Sequence, residues 1–231
     1  MKIGLLECDH VMPELRQFGG DYRDMFPALL PTLEFVPYDV CMGQFPAGVD
    51  DCEAWLCTGS RYSVYDGEGW IQELKDFVRE LHRSEKKFVG ICFGHQLLGE
   101  ALGGRVRKSE RGWCVGVHTF SALQVEDWMA PPLDSLNLLM SCQDQVVVLP
   151  EGATLLASAP DCEVGMFRVG SHMLGIQAHP EFPLAYARAL MEMRLSRIGE
   201  ETVQRSRATF GLPVHAPAVA EWMLQFLNYR P

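Results

Sequence analysis

The sequence predicts a single three-layer α/β domain built on an open, mixed, mostly parallel sheet. Three patterns predict it. Short apolar runs of strand length alternate with amphipathic stretches of helical length through residue 102, as in a parallel sheet covered on both faces. The middle of the chain then holds short apolar runs separated by Gly, Pro and Asp turns, and helical spacing returns from Pro183 onward.

Taken in order, Ile3 to Cys8 reads as a buried first strand, Glu14 to Leu29 as a helix, and Leu33 to Tyr38 and Ala54 to Cys57 as the next two strands. Trp70, Ile71, Leu74, Phe77, Val78 and Leu81 recur at helical spacing between Trp70 and His82. Phe88 to Ile91 is a continuous apolar run, and Gln96 to Leu102 reads as the helix after it. Val115 to Phe120, Leu136 to Met140, Thr154 to Ser158, Val164 to Val169 and Met173 to Gln177 form the β-rich middle. After Pro183, Ala185, Leu190, Met191 and Leu195 mark one helical stretch, and Val219, Trp222, Met223, Phe226 and Leu227 mark the last. That last stripe is read as core packing, with a homo-oligomer formed through it as the alternative. No repeat or linker divides the chain. Residues 1–190 are expected to form the domain, and residues 191–231 a C-terminal helical extension packed on it.

A chain of 231 residues should bury roughly 70–75% of its unfolded surface. Its 48% hydrophobic and 22% charged residues are those of a soluble globular protein. The net charge of −10 repels phosphate backbones and anionic lipid surfaces, so nucleic-acid and membrane partners are disfavoured. No run approaches the roughly 18 apolar residues of a membrane span, and the apolar run within Lys2 to His10 is too short for a signal peptide. A cytoplasmic protein is expected. The eight cysteines show neither CxxC pairs nor zinc-ligand spacing, which argues against a disulfide framework and a structural metal. Most are expected to be buried small hydrophobes.

Cys92 is the exception. Phe88 to Gly99 is an apolar strand that runs into Gly90-Ile91-Cys92-Phe93-Gly94 and then into a helix, the cysteine counterpart of a nucleophile elbow. The sharp turn strains the central residue, and Gly90 and Gly94 remove side chains that would clash where the backbone folds back. The helix that follows points unpaired amides at the sulfur, which favours thiolate and an anion on the substrate.

Such a nucleophile needs a base. Gly175 to Phe182 ends an apolar run in His179-Pro180-Glu181. Pro180 biases His179 toward extended geometry, where residues two apart share a side. His179 and Glu181 are thereby placed to hydrogen-bond as base and orienter. The other histidines lack such a setting: His95 is read as packing or capping on the helix, and His10, His82, His118, His172 and His215 as loop or surface residues.

Phe88 to Gly104 and Gly175 to Phe182 resemble the nucleophile and histidine/glutamate motifs of class I glutamine amidotransferases, and among them the glutaminase domain of GMP synthetase. Thr58 to Asp66 looks like the family's oxyanion strand, and Met140 to Val146 with Leu149-Pro150 like its glutamine-binding strand. The resemblance covers about residues 1–190 and implies a flavodoxin-like fold. It implies the triad Cys92, His179 and Glu181, an oxyanion hole from the amides of Gly59 and Phe93, and a glutamyl pocket from Gln96, Ser141, Cys142, Gln143 and Asp144. Two positions depart from the family pattern: Cys142 stands where a histidine is common, and Gln143 where a small residue is.

The chemistry so implied is two-step acyl transfer through a γ-glutamyl thioester, with no metal or organic cofactor. Glutamine is the first expectation for the substrate, with release of ammonia and glutamate. No GxxxxGK[ST] phosphate loop is present, so an ammonia-accepting synthase would be a separate chain. The alternatives are a stand-alone γ-glutamyl peptidase or hydrolase, and a catalytically silent glutamyl-binding regulatory module.

Overall fold

The computed structural model describes residues 1–229. The chain forms β1 (Lys2–Leu6), a 3-10 helix (Pro13–Phe18), α1 (Tyr22–Leu29), β2 (Glu34–Tyr38), a short 3-10 turn (Val40–Met42), β3 (Ala54–Cys57), α2 (Gly69–Arg83), β4 (Lys87–Ile91) and α3 (Phe93–Ala101). There follow β5 (Arg105–Lys108), β6 (Cys114–Ala122), β7 (Ser135–Cys142), β8 (Asp144–Val148), β9 (Ala153–Ala159), β10 (Cys162–Val169) and β11 (Met173–Ile176). Four helices close the chain: α4 (Leu184–Met193), α5 (Leu195–Ile198), α6 (Glu200–Thr209) and α7 (Ala216–Asn228).

Nine strands form one sheet in the order β2-β1-β3-β4-β11-β10-β9-β6-β7. The first five are parallel and the last four join antiparallel. This is the expected mixed α/β sheet. The inner parallel strands β1, β3, β4 and β11 are short and nearly all buried, as strands covered on both faces must be, whereas the edge strand β2 has no buried residue. Leu6 is in register with Cys57, Cys57 with Gly90, and Gly90 with Gly175. The loops after β1, β3, β4 and β11 therefore leave the sheet along one edge, where ligands of open α/β sheets bind.

One core lies on each face. Ile3, Leu5, Leu56, Val89, Ile91 and Leu174 point into the first, beneath α1, α4 and α7. Leu6, Trp55, Cys57, Phe88 and Met173 point into the second, beneath α2 and α3. Alternate residues of one strand thus serve opposite layers. The α7 stripe of Val219, Trp222, Met223, Phe226 and Leu227 is buried in the first core. Trp222 donates its indole N–H to the Pro131 carbonyl at 3.0 Å, and Phe226 meets Trp128 edge to face at 5.1 Å.

Two local readings differ from the sequence expectation. The helix expected over Glu14 to Leu29 is broken at Gly19-Gly20, where Gly20 takes a φ of 77°. Asp21 then starts α1 afresh with a capping box to Asp24, so the glycine pair and a strong N-cap override the apolar spacing. The segment Met140 to Val146 is not one strand: β7 ends at Cys142, and the chain leaves the large sheet to pair β8 with β5 in a separate two-stranded ribbon. In β5 only Val106 is buried, too little apolar signal for a charged strand to be read from sequence.

Candidate active site

Cys92 caps the N-terminus of α3 with φ 51° and ψ −97°. Such a conformation costs a non-glycine residue on the order of 1–3 kcal/mol and persists only where its surroundings fix it. Here the Cys92 amide donates to the Ile176 carbonyl at 2.8 Å, and the Cys92 carbonyl accepts from the Gln96 amide at 3.0 Å. Gly90 makes the fold-back feasible: a Cβ there would lie 2.3 Å from the Gly94 carbonyl oxygen. The thiol sits at the end of the parallel sheet, facing the first turn of a helix whose leading amides have no i−4 carbonyl to bond.

His179 arrives from the next strand over. Its amide donates to the Leu139 carbonyl of β7 at 2.8 Å, and its Nδ1 bonds Glu181 Oε1 at 2.8 Å. The imidazole lies flat on the Phe182 ring, with centroids 3.9 Å apart and planes 7° from parallel. Both partners of the pair are buried. Burial disfavours the imidazolium, but the Glu181 carboxylate and the neighbouring Cys92 outweigh it and raise the His179 pKa to about 10. Nδ1–H is thus the proton held by Glu181, and Nε2 is left for chemistry.

Gly59 is pressed against both residues. A Cβ at this position would lie 2.9 Å from His179 Cε1 and 3.7 Å from Cys92 Cβ. Its peptide is held in place by Thr58, whose hydroxyl accepts from the Cys8 amide at 3.0 Å and donates to the Gly59 carbonyl at 3.0 Å. Phe93 opens α3, and its ring packs on Trp70 at 5.7 Å.

Two cavities meet at Cys92. The smaller, about 90 Å³, is lined by Gln96, Ser141, Cys142, Gln143 and Asp144, so all five expected glutamyl-pocket residues share one wall. Gln96 donates from Nε2 to the Asp144 carbonyl at 2.7 Å and to Gln177 Oε1 at 3.1 Å, which spends both amide protons and leaves Oε1 as an acceptor. The Asp144 carboxylate accepts from the Ser63 and Tyr65 hydroxyls. Cys142 faces Cys114 across the β6–β7 ladder, and burial pushes its thiol pKa well up. The larger cavity, about 330 Å³, is lined by Cys92, His179, Tyr22, Phe182, Tyr186 and Met193 among others. His179 lines only this larger space.

Several wall residues are not evident from the sequence. Arg194, at the junction of α4 and α5, and Arg197, in α5, line both cavities; their only sequence signal is a three-residue spacing, common on solvated helices. His10, read as a loop or surface residue, lies in the loop after β1 but is half-buried between Asp21 at 3.2 Å and Asp39 at 3.0 Å and borders the larger cavity. His172, also read as a loop or surface residue, lies in the turn before β11, where it is buried and shares a ring-nitrogen hydrogen bond of 2.9 Å with His82. His95 packs edge to face on Phe167. Its burial lowers the pKa to about 4, so it stays neutral. Of groups able to hold a metal among the described residues, His10, Asp39 and Cys41 cluster, and His10 of these borders the larger cavity. No described helix is long and apolar enough to cross a membrane.

The chain is 34% identical over 176 residues to gamma-glutamyl peptidase 4 of Arabidopsis thaliana, covering 72% of this chain and 70% of that protein. It spans about 60% of the length of three further gamma-glutamyl peptidases of the same plant. It is 27% identical over 165 residues to a glutamine-hydrolysing GMP synthase subunit of Sulfolobus acidocaldarius, covering 71% of this chain and 86% of that one. A crystal structure of a glutamine amidotransferase from Thermotoga maritima superposes with a TM-score of 0.77 at 19% identity, over 98% of this chain and 96% of that one, which establishes a shared fold. The model of the glutamine amidotransferase class-I family matches residues 54–193, a span that carries the elbow, the His179–Glu181 pair and much of the walls of both cavities. The chain therefore belongs to the glutamine amidotransferase class-I family.

Proposed function

We propose that the protein is a cysteine-dependent γ-glutamyl hydrolase whose substrate carries an amine larger than ammonia. The observation that carries this reading is the placement of Cys92 between two unequal cavities, with His179 facing only the larger. The general acid of acyl transfer protonates the leaving nitrogen, so the leaving group belongs on the side that holds His179. A space of about 330 Å³ is of the size that holds a small molecule, whereas ammonia needs almost none of it. The sequence resemblance puts glutamine first; this cavity and the similarity to gamma-glutamyl peptidases favour a γ-glutamyl peptide instead.

In this reading Cys92 attacks the γ-carbonyl as a thiolate paired with the His179 imidazolium. The amides of Gly59 and Phe93 receive the oxyanion, each worth about 10²–10³ in rate. His179 gives its proton to the departing amine, and Glu181 keeps the ring oriented. A water then replaces the amine beside His179 and hydrolyses the thioester. Gln96 Oε1, Ser141, Cys142, Gln143 and the Asp144 carboxylate hold the polar end of the glutamyl group. Eight free cysteines suit a reducing, cytoplasmic setting.

The similarity to the GMP synthase of Sulfolobus acidocaldarius supports a second reading, in which glutamine is hydrolysed for a separate ammonia-accepting synthase. Purified protein should be offered glutamine, γ-glutamyl dipeptides and a γ-glutamyl anilide, with Cys92→Ala as control. The expected result is faster turnover of the peptides than of glutamine and none by Cys92→Ala. A preference for glutamine would remove the peptide reading, and persistent activity of Cys92→Ala would remove Cys92 from the mechanism.

A further inference from the structure

Arg194 and Arg197 stand out by what they lack. Both line the two cavities that meet at Cys92. Arg61, the third arginine of the same walls, is paired with Asp9 at 2.7 Å. Among the described residues, neither Arg194 nor Arg197 has a carboxylate within ion-pair distance. The Arg194 guanidinium is half-buried and makes one weak hydrogen bond, from Nη1 to the Ser141 hydroxyl at 3.4 Å. Arg197 lies over the Trp113 ring at 5.1 Å, which steadies its plane without neutralising its charge.

Of the other charged groups of these walls, Lys108 lines the smaller cavity but not the larger, and the rest are already engaged. Asp9 is held by Arg61, His10 lies between Asp21 and Asp39, and Asp144 accepts from Ser63 and Tyr65. In a chain of net charge −10, two unmatched guanidinium groups beside the nucleophile make a local positive field that selects an anion. A guanidinium fork fits a carboxylate better than any other small anion of a peptide. A γ-glutamyl peptide carries two carboxylates, one on the glutamyl unit and one at the C-terminus of the leaving amine. The glutamyl unit already has Gln96 and the Ser141 to Asp144 wall. The larger cavity, where His179 lies, offers no other unpaired cation among the described residues.

We propose that Arg194 and Arg197 form a carboxylate-binding pair that holds the C-terminal carboxylate of the departing amine and so selects anionic γ-glutamyl peptides. This rests on the γ-glutamyl hydrolase reading, and the experiment separates the two. Turnover of γ-glutamylglycine is compared with turnover of its C-terminal amide and of γ-glutamyl anilide, for the wild type, Arg194→Gln and Arg197→Gln. A charge-assisted hydrogen bond of ordinary strength predicts that the wild type favours the acid over the amide by about 10- to 100-fold in kcat/KM. Each variant should lose most of that preference through KM while handling the amide and the anilide as the wild type does.

Should both variants lose all three substrates equally, the arginines serve the glutamyl carboxylate and the proposal falls. It falls too if the wild type shows no acid preference. Arg197→Gln, the more exposed of the two, guards against a folding defect in Arg194→Gln. Calorimetric binding of the same acid and amide to Cys92→Ala needs no turnover: retained acid preference with no peptide hydrolysis by the wild type would sink the hydrolase reading alone.

Discussion

Replacing Gly59 by alanine tests whether the site works by close fit. Gly59 takes no left-handed backbone conformation, so alanine is strained there by contact alone. The added Cβ would lie 2.9 Å from His179 Cε1, 3.5 Å from the Tyr22 hydroxyl and 3.7 Å from Cys92 Cβ. The first distance is shorter than real Cβ contacts, so the imidazole or the loop that carries Gly59 must move. The imidazole has little freedom, because it is stacked on Phe182 at 3.9 Å and bonded to Glu181 at 2.8 Å. A displacement approaching 1 Å would cost about 100-fold in kcat/KM, or about 2.7 kcal/mol of transition-state stabilisation. Overpacking less the alanine gain in unfolded-state entropy leaves a destabilisation of about 1–2 kcal/mol. Gly48, where a Cβ meets nothing within 4 Å, supplies the control: Gly48→Ala should be neutral or slightly stabilising. Steady-state kinetics on the preferred γ-glutamyl substrate and thermal unfolding read the two effects separately. A Gly59→Ala enzyme with wild-type kcat/KM would refute the claim that this backbone sets the His179 position.

The same geometry makes three further predictions. The His179 pKa is lowered by burial but raised further by Glu181 and Cys92 to about 10; under the proposed mechanism the proton for the leaving amine is then present through neutral pH and lost as pH rises through about 10, so kcat/KM should fall on that alkaline limb, and in Glu181→Gln the limb should move to lower pH, with an unmoved limb counting against His179 as the acid. Asp144→Asn weakens the acceptor of the Ser63 and Tyr65 hydroxyls and should raise KM by about 10-fold, the size of one charge-assisted hydrogen bond, with kcat little changed; a pure kcat loss would place Asp144 in the chemistry instead. Trp222→Ala empties a buried site of α7 and unpairs the Pro131 carbonyl, so calorimetry should show about 3–5 kcal/mol of lost stability, while a loss under about 1 kcal/mol would mean that α7 contributes little to the core.

How much of this is legible in the chain follows the range of the interactions. Cys92 is legible because the elbow is local: Gly90 and Gly94 flank it, and the strand and helix it joins are its immediate neighbours in sequence. The His179–Glu181 hydrogen bond is legible for the same reason, since Pro180 fixes the geometry of two residues that sit two apart. Arg194 is not. Its place opposite Ser141 depends on α4 crossing from the end of β11 back over β7, a contact between residues 53 apart that no local periodicity encodes. The break at Gln143 is hidden because the polar run Gln143 to Gln145 does not by itself tell a turn between strands from one polar strand, while the partner β5 presents mostly charge.

That break explains why the small cavity is a closed constellation rather than a row of side chains on one strand. At Gln143 the chain leaves the nine-stranded sheet and turns toward β5, where the Gln143 carbonyl accepts from the Ser109 amide at 2.8 Å. Asp144 is thereby carried against two other segments. Its carbonyl receives Gln96 Nε2 from α3, and its carboxylate receives Ser63 and Tyr65 from the loop after β3. The elbow helix, the loop that begins at Gly59 and the end of β7 are thus tied at one residue. The strained φ of Cys92 lies at the root of the same helix, so the backbone cost there is sustained by contacts that also shape the cavity wall. A change at Asp144 should therefore be felt first in how the glutamyl group is held, and a change at Gly59 first in how His179 meets Cys92.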